Sequence, residues 1–284
     1  MSFQEHCIKI AEIIADYREG EIAAPDAVHV GRWIEQFPAP AREPLLVELA
    51  HVLRKSYLSR KVVTGFIERV IASSKIAGND PASFWRSAHF LRLQQAGNSQ
   101  RDMLAIFDEA LTKAYGLTTA DCGKAPHTYV YLDDGIFSGG RVKSDLIRWI
   151  TNNAPQSAKV AVIVMVLHKL GEYFAGQDIQ KAAQAAGKTI EISWWRATAV
   201  EDRKTYIANS DVLRPKGIPI EAQAYVASLG VDPVLRVGEQ VGGLGLFSSP
   251  AGRELVEQEF LKAGVQVRAC CPHFNDYMRP LAGC

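Results

Sequence analysis

Long apolar runs are scarce in this 284-residue chain, and the longest, residues 160–167, spans only eight positions. A helix needs about 20 apolar residues to cross a bilayer, so that run reads as a buried strand and no membrane span is expected. Cysteine is also sparse. Cys7, Cys122, Cys270, Cys271 and Cys284 are odd in number, irregularly spaced and include no Cys-x-x-Cys pair, which argues against a disulfide framework and against a zinc site. Cys270 and Cys271 close an apolar run and read as buried strand packing. Charge of one sign is missing as well: 32 basic residues face 31 acidic ones, so contact with nucleic acid would need a local patch. Acids punctuate the apolar positions of the N-terminus, which is unlike a secretory signal, and a cytoplasmic protein is expected. No repeat or low-complexity segment interrupts the chain. Its length suits one large domain, or a medium one with a small helical extension.

Two kinds of periodicity divide the sequence. At helical spacing, Ile8, Ile10, Ile13, Ile14 and Tyr17 lead up to Gly20, and Val30, Trp33, Ile34 and Phe37 lead up to Pro38 and Pro40. Residues 42–56 carry Leu45, Leu46, Leu49, Val52 and Leu53 on one stripe, and residues 61–76 continue the pattern. Arg54, Lys55, Arg60, Lys61 and Arg69 make this block locally basic. A winged-helix-like DNA-binding module is one reading, and a helical cap on the following domain is the other. From about residue 88 strand and helix signals alternate. Strands are expected at 89–93, 128–132, 160–167 and 188–195, with helices at 101–115, 142–152 and 178–186. Two further strands, 244–247 and 265–270, bracket a helix at about 251–263. This alternation predicts an α/β fold with a largely parallel sheet flanked by helices. The domains expected are a helical N-terminal region over residues 1–80 and an α/β domain over residues 81–284.

The most specific signal is Tyr129-Val130-Tyr131-Leu132-Asp133-Asp134-Gly135-Ile136-Phe137-Ser138-Gly139-Gly140: an apolar strand, two acids, a glycine- and serine-bearing turn, then a helix. Adjacent carboxylates at a strand's carboxyl end can accept hydrogen bonds from a vicinal diol. Backbone N–H groups of the turn and the helix start can hold an anion. Ser138 adds a hydroxyl, and Gly139 and Gly140 let the backbone approach a phosphate closely. Ribose 5-phosphate has both features. A haloacid-dehalogenase-type phosphatase would need an acid where Leu132 stands, and neither a Walker A loop nor a Gly-x-Gly-x-x-Gly loop is present. A plain strand-turn-helix junction with surface acids is the bland alternative.

This segment resembles the phosphoribosyl-pyrophosphate-binding motif of type I phosphoribosyltransferases. The resemblance implies that Asp133 and Asp134 are the catalytic, diol-binding pair and that Gly135, Ile136, Ser138, Gly139 and Gly140 hold the phosphate and ribose. It places a pyrophosphate loop upstream, with Gly97, Asn98, Ser99 and Gln100 as its candidates. Magnesium is expected on Asp133 and Asp134 only together with a pyrophosphate-bearing ligand, because two acids alone are a poor cage for six-coordinate Mg²⁺. Most of residues 28–280 also resembles the phosphoribosyltransferase-like proteins of prokaryotic conflict systems, some of which accompany anti-phage retrons. Trp33-Ile34-Glu35-Gln36-Phe37, the leucine-rich block, the loop after Leu132 and residues 244–250 carry that likeness. It implies a defence effector acting on phosphoribosyl pyrophosphate or nucleotides, partnered for instance by a reverse transcriptase with its nucleic acid.

Departures from the pattern leave other functions open. Purine-salvage members place an acid where Phe137 stands, so proton abstraction from an incoming base by that route is lost. The usual mobile lid would have to lie within residues 116–127, a short stretch whose only basic residues are Lys124 and His127. Members of the conflict-system group continue past the point that residues 279–284 reach, which implies a truncated or divergent C-terminus. An inactive nucleotide-binding sensor or scaffold of a defence complex is therefore the alternative to an enzyme, and nucleic-acid binding through the N-terminal helices is a third. Trp194-Trp195 offers either base stacking or core packing, Ser248-Ser249-Pro250 either a second anion site or a helix cap, and His168 and Lys169 either substrate contacts or a surface loop.

Overall fold

A computed structural model describes residues 2–95, 97–124, 126 and 128–271. The chain begins with α1 (Phe3–Ile13), α2 (Ala27–Ile34), α3 (Ala39–Ser56), α4 (Arg60–Ile71), α5 (Ser74–Ala77) and α6 (Pro81–Ser87). Then come β1 (His89–Phe90), α7 (Ser99–Tyr115), β2 (Thr128–Ile136), α8 (Gly140–Asn152), β3 (Ser157–His168), α9 (Lys169–Ala185) and β4 (Thr189–Val200). It closes with α10 (Ile220–Ser228) and α11 (Pro250–Cys270). Two compact units result, Arg60–Val200 and, together, Met1–Ser59 with Glu201–Cys284. The expected boundary near residue 80 thus lies at Ser59, and the chain beyond β4 rejoins the first three helices. Trp85 shows why α4 to α6 belong with the sheet. It is fully buried, donates through Nε1 to the Ile71 carbonyl at 2.8 Å, and packs on Phe90 and Phe107 at centroid distances of 6.2 and 5.1 Å.

In the unit Arg60–Val200 all strands are parallel, in the order β1-β2-β3-β4. The parallel α/β prediction is met. Residues Val160, Ala161, Val162, Ile163, Val164 and Met165 of β3 are all buried, as a central parallel strand covered on both faces requires. On one face Tyr131, Val160, Val162, Val164 and Ile190 share a core with Leu146 and Ile150 of α8 and Ala175, Ile179 and Ala183 of α9. Helix α7 packs against β2. Because every strand runs the same way, their carboxyl ends share one edge of the sheet, the edge at which open α/β sheets bind ligands.

In the other unit α1, α2, α3 and α11 close over Cys7, Ile10, Val30, Ile34, Leu45, Leu46, Leu49, Phe247 and Val256. No winged hairpin accompanies these helices among the described residues, where an isolated bridge joins Glu19 to Ile22. The strands expected at 244–247 and 265–270 are not strands. The first is turn, and the second is the end of α11, whose Leu261 and Val265, one helical turn apart, face Ala222 and Val226 of α10. Val265 there serves a helix face, and the reading of Cys270 and Cys271 as strand packing also fails: Cys270 is exposed and Cys271 half-buried.

A buried carboxylate organises the irregular chain before α11. Glu257 accepts from Arg253 Nε at 2.7 Å, from Arg236 Nη2 at 2.9 Å and from the Arg214 amide at 3.0 Å, and the side chains of Arg236, Arg253 and Glu257 are fully buried. Arg253 reaches on to the carbonyls of Val212 and Gln240. Glu257→Ala would strand two guanidinium groups away from water, a defect worth about 3–5 kcal/mol. Urea unfolding should show a loss of that size, and a loss below about 1 kcal/mol would contradict the assigned role of Glu257.

Candidate functional site

The site is assembled where β2 ends. Pleating sends neighbouring side chains to opposite faces, so the two acids diverge: Asp133 is 3% exposed while Asp134 faces solvent. Asp133 Oδ1 accepts from Ser99 Oγ at 2.6 Å and from the Asp134 amide at 3.0 Å. Burial pushes the Asp133 carboxyl above the ordinary carboxylate range. The charge of Asp134 adds to that push, and the two hydrogen bonds oppose it.

A cavity of about 400 Å³ opens over these acids. Gly97, Asn98 and Ser99 line it from the start of α7, and Gly135, Ile136, Ser138, Gly139 and Gly140 line it from the turn into α8. The N-cap residues of α7 and α8, Asn98 and Gly139, make no side-chain capping bond, although Gln94 Oε1 accepts from the Gln100 amide in the first turn of α7 at 3.1 Å, and both helix starts lie at one cavity. Helix starts of this kind favour anions. Ser138 Oγ accepts from the Gly140 amide at 3.3 Å.

The turn is pressed onto α9. Gly139 has φ +77°, and a Cβ there would lie 2.5 Å from the Gly171 carbonyl oxygen; a Cβ on Gly171 would meet the Phe137 oxygen at 2.1 Å. Glycine is required at both positions by backbone contact, and only the first was expected from sequence.

Gln100 departs from its expected role. It is buried, its Oε1 accepts from the Leu93 and Gln94 amides at 2.9 and 3.1 Å, and its Nε2 donates to the Leu132 carbonyl at 3.3 Å. It is a strut tying the upstream loop to β2 and does not line the cavity. Arg148 helps, donating to the Leu93 carbonyl at 2.7 Å and to Asp145 at 2.9 Å, while Asp145 accepts from the Tyr131 hydroxyl at 3.0 Å. Arg141 was missed in the sequence, although it directly follows the motif. It lines the cavity, and its Nη1 lies 3.4 Å from where a Cβ on Gly97 would stand, which places a cation beside the upstream loop. Among the described residues no group of three or more His, Cys, Asp or Glu is placed to hold a metal ion.

The PRTase-CE family model matches residues 30–281. The chain belongs to the PRTase-CE family. No curated protein and no solved structure matches it. Family membership and the parallel sheet make this PRTase-CE chain phosphoribosyltransferase-like.

Other positions in the PRTase-CE chain settle into ordinary or suggestive roles. The stretch expected to carry a lid is fastened down: Asp121 accepts from the Thr118 amide and hydroxyl, Asp108 from the Thr119 amide, and Gly123 donates to the Arg86 carbonyl. His127 lies outside the described residues, as does Cys284. Ser249 caps α11 through the Gly252 amide, and Ser248 bonds Glu48 of α3 through its amide and hydroxyl, so a helix cap accounts for the first and a tertiary contact for the second. Trp194 packs against the sheet core, and Trp195 Nε1 donates to Ser193 Oγ. His168, the last residue of β3, faces Phe137.

A carboxyl whose folded pKa is raised holds its proton more tightly in the native state than in the unfolded chain. Its contribution is therefore full at acid pH and is lost as pH rises from about 4 through the raised value. Asp133→Asn removes that loss and keeps both donors, because both donate to the oxygen that the amide retains. The variant should melt at or above the wild-type temperature at pH 7, with the gap closing below about pH 4. A clearly lower melting temperature at pH 7 would contradict the assignment.

Proposed function

We propose that this PRTase-CE protein binds phosphoribosyl pyrophosphate or a nucleotide in the β2 cavity and acts on it as the effector of a prokaryotic anti-phage defence system. The observation that carries the ligand reading is the meeting of two helix starts with one buried and one exposed carboxylate in a single cavity. In this reading the N–H groups of Ser138, Gly139, Gly140 and Arg141 hold the 5-phosphate. Asp133 and Asp134 accept from the ribose hydroxyls, and the Gly97-Asn98-Ser99 turn takes the pyrophosphate, with Arg141 lending positive charge. Asp133 and Asp134 would hold a magnesium ion only together with the pyrophosphate, and the ion would supply charge neutralisation for the leaving group. The defence role, and a partner such as a reverse transcriptase with its nucleic acid, rest on the likeness to conflict-system proteins.

A second reading, a nucleotide-binding sensor or scaffold without turnover, is favoured by Phe137 in place of an acid and by the fastened stretch after α7. With no carboxyl at Phe137 to accept a proton, and with residues 118–123 tied down among the described residues of the lid stretch, ordinary transfer to a nucleobase loses two of its usual supports.

Titration calorimetry and phosphorus NMR together separate the readings. Phosphoribosyl pyrophosphate with Mg²⁺ should bind, and Mg²⁺ alone should not. Asp133→Asn with Asp134→Asn should weaken binding by about 1.5–3 kcal/mol, since hydrogen bonds to charged groups are lost. Consumption of the bound ligand supports the enzyme, and binding without consumption supports the sensor. Undiminished binding by the double variant would refute both.

A further inference from the structure

Phe137 is the large apolar side chain on the cavity wall that remains open to solvent, at 64% exposure; Ile136 and Val142, which also line the cavity, are 3% exposed and belong to the core. Exposure alone is unremarkable for a single hydrophobic residue. Its surroundings are less ordinary. The Phe137 ring lies against Gly135, where an added Cβ would sit 3.4 Å from Cε2, and its backbone oxygen presses on Gly171. Its other neighbour is the His168 ring, at a centroid distance of 5.2 Å and an interplanar angle of 53°. Ring contacts with Gly135 and His168 thus place an aromatic side chain at a cavity lined also by two acids, glycines and two helix starts.

We infer that Phe137, propped by His168, is the shelf on which the base of a nucleotide stacks, so that the site takes whole nucleotides in preference to base-free sugar phosphates. The inference rests on the ribose-phosphate reading of the cavity. A nucleotide anchored through its 2′,3′-diol at Asp133 and Asp134, and through its 5′-phosphate at Ser138 and the α8 start, has only its base left to place. A base presents two flat, weakly hydrated faces, and stacking on an aromatic ring is the contact that suits any base. Phe137 has no hydrogen-bonding group, so the shelf alone discriminates little among bases. It separates ligands that have a base from those that lack one.

The test compares adenosine 5′-monophosphate with ribose 5-phosphate on the full chain by titration calorimetry, for wild type, Phe137→Ala and Phe137→Trp. Wild type should favour the nucleotide by roughly ten-fold, the order of a single base stack. In Phe137→Ala the ratio of the two affinities should fall to about one. Phe137→Trp should keep the preference, and its indole fluorescence should change on adding the nucleotide but not the sugar phosphate. Equal affinities in wild type, or a nucleotide preference that survives Phe137→Ala, would overturn the inference while leaving the ribose-phosphate site intact. Binding of neither ligand would overturn the site reading and the shelf together.

Discussion

A carboxylate buried at the end of a strand must be met by donors, and much of the site follows from how Asp133 is met. One donor is the next amide in its own chain. The other is Ser99, 34 residues earlier, at 2.6 Å. That second bond fixes the start of α7 to the end of β2 and so brings the upstream loop and the DDGIFSGG turn to the same cavity. The buried charge is costly, which is why burial raises the carboxyl's pKa. A site that concentrates such cost at a solvent-facing cavity is a candidate for ligand binding, since a ligand's hydroxyls can relieve it.

The surrounding structure holds that arrangement from three sides. Gln100 and Arg148 secure the loop after β1 through the carbonyls of Leu132 and Leu93, and Asp145 links Arg148 to Tyr131 on β2. Contact between Gly139 and Gly171 settles the turn onto α9 so closely that neither residue has room for a side chain. Lys143 on α8 adds an ion pair at 3.1 Å to Asp178 on α9. Preorganisation of this kind means that a ligand would meet the two helix starts and the acids without further ordering at the moment of binding.

Much of this was legible in the sequence because strand, acids, turn and helix are contiguous there. The parallel sheet followed from the alternation of β-branched runs with helical stripes, and the cavity gathers Gly97, Asn98 and Ser99 with the motif. What escaped depends on contacts between distant segments. Gly171 looks like any helix glycine until Phe137 is placed beside it, and Gln100 looks like a loop donor until Leu132 turns out to be its partner. Arg141 was within reach, one residue past the motif. The strand expected near residue 265 failed for a different reason: Val265 and Val267 resemble a β run locally, but Val265 falls one helical turn after Leu261 on the face of α11 that meets α10, and Val267 is exposed. The domain boundary failed because α4 to α6 carry the same apolar pattern as α1 to α3, and only Trp85 against Phe90 and Phe107 reveals which core they join.

The most direct test of this account is a crystal structure of the protein with ribose 5-phosphate. The account predicts the phosphate on the backbone N–H groups from Ser138 to Arg141, with the ring hydroxyls on Asp133 and Asp134. A phosphate bound elsewhere, or hydroxyls that leave both acids without contact, would contradict it.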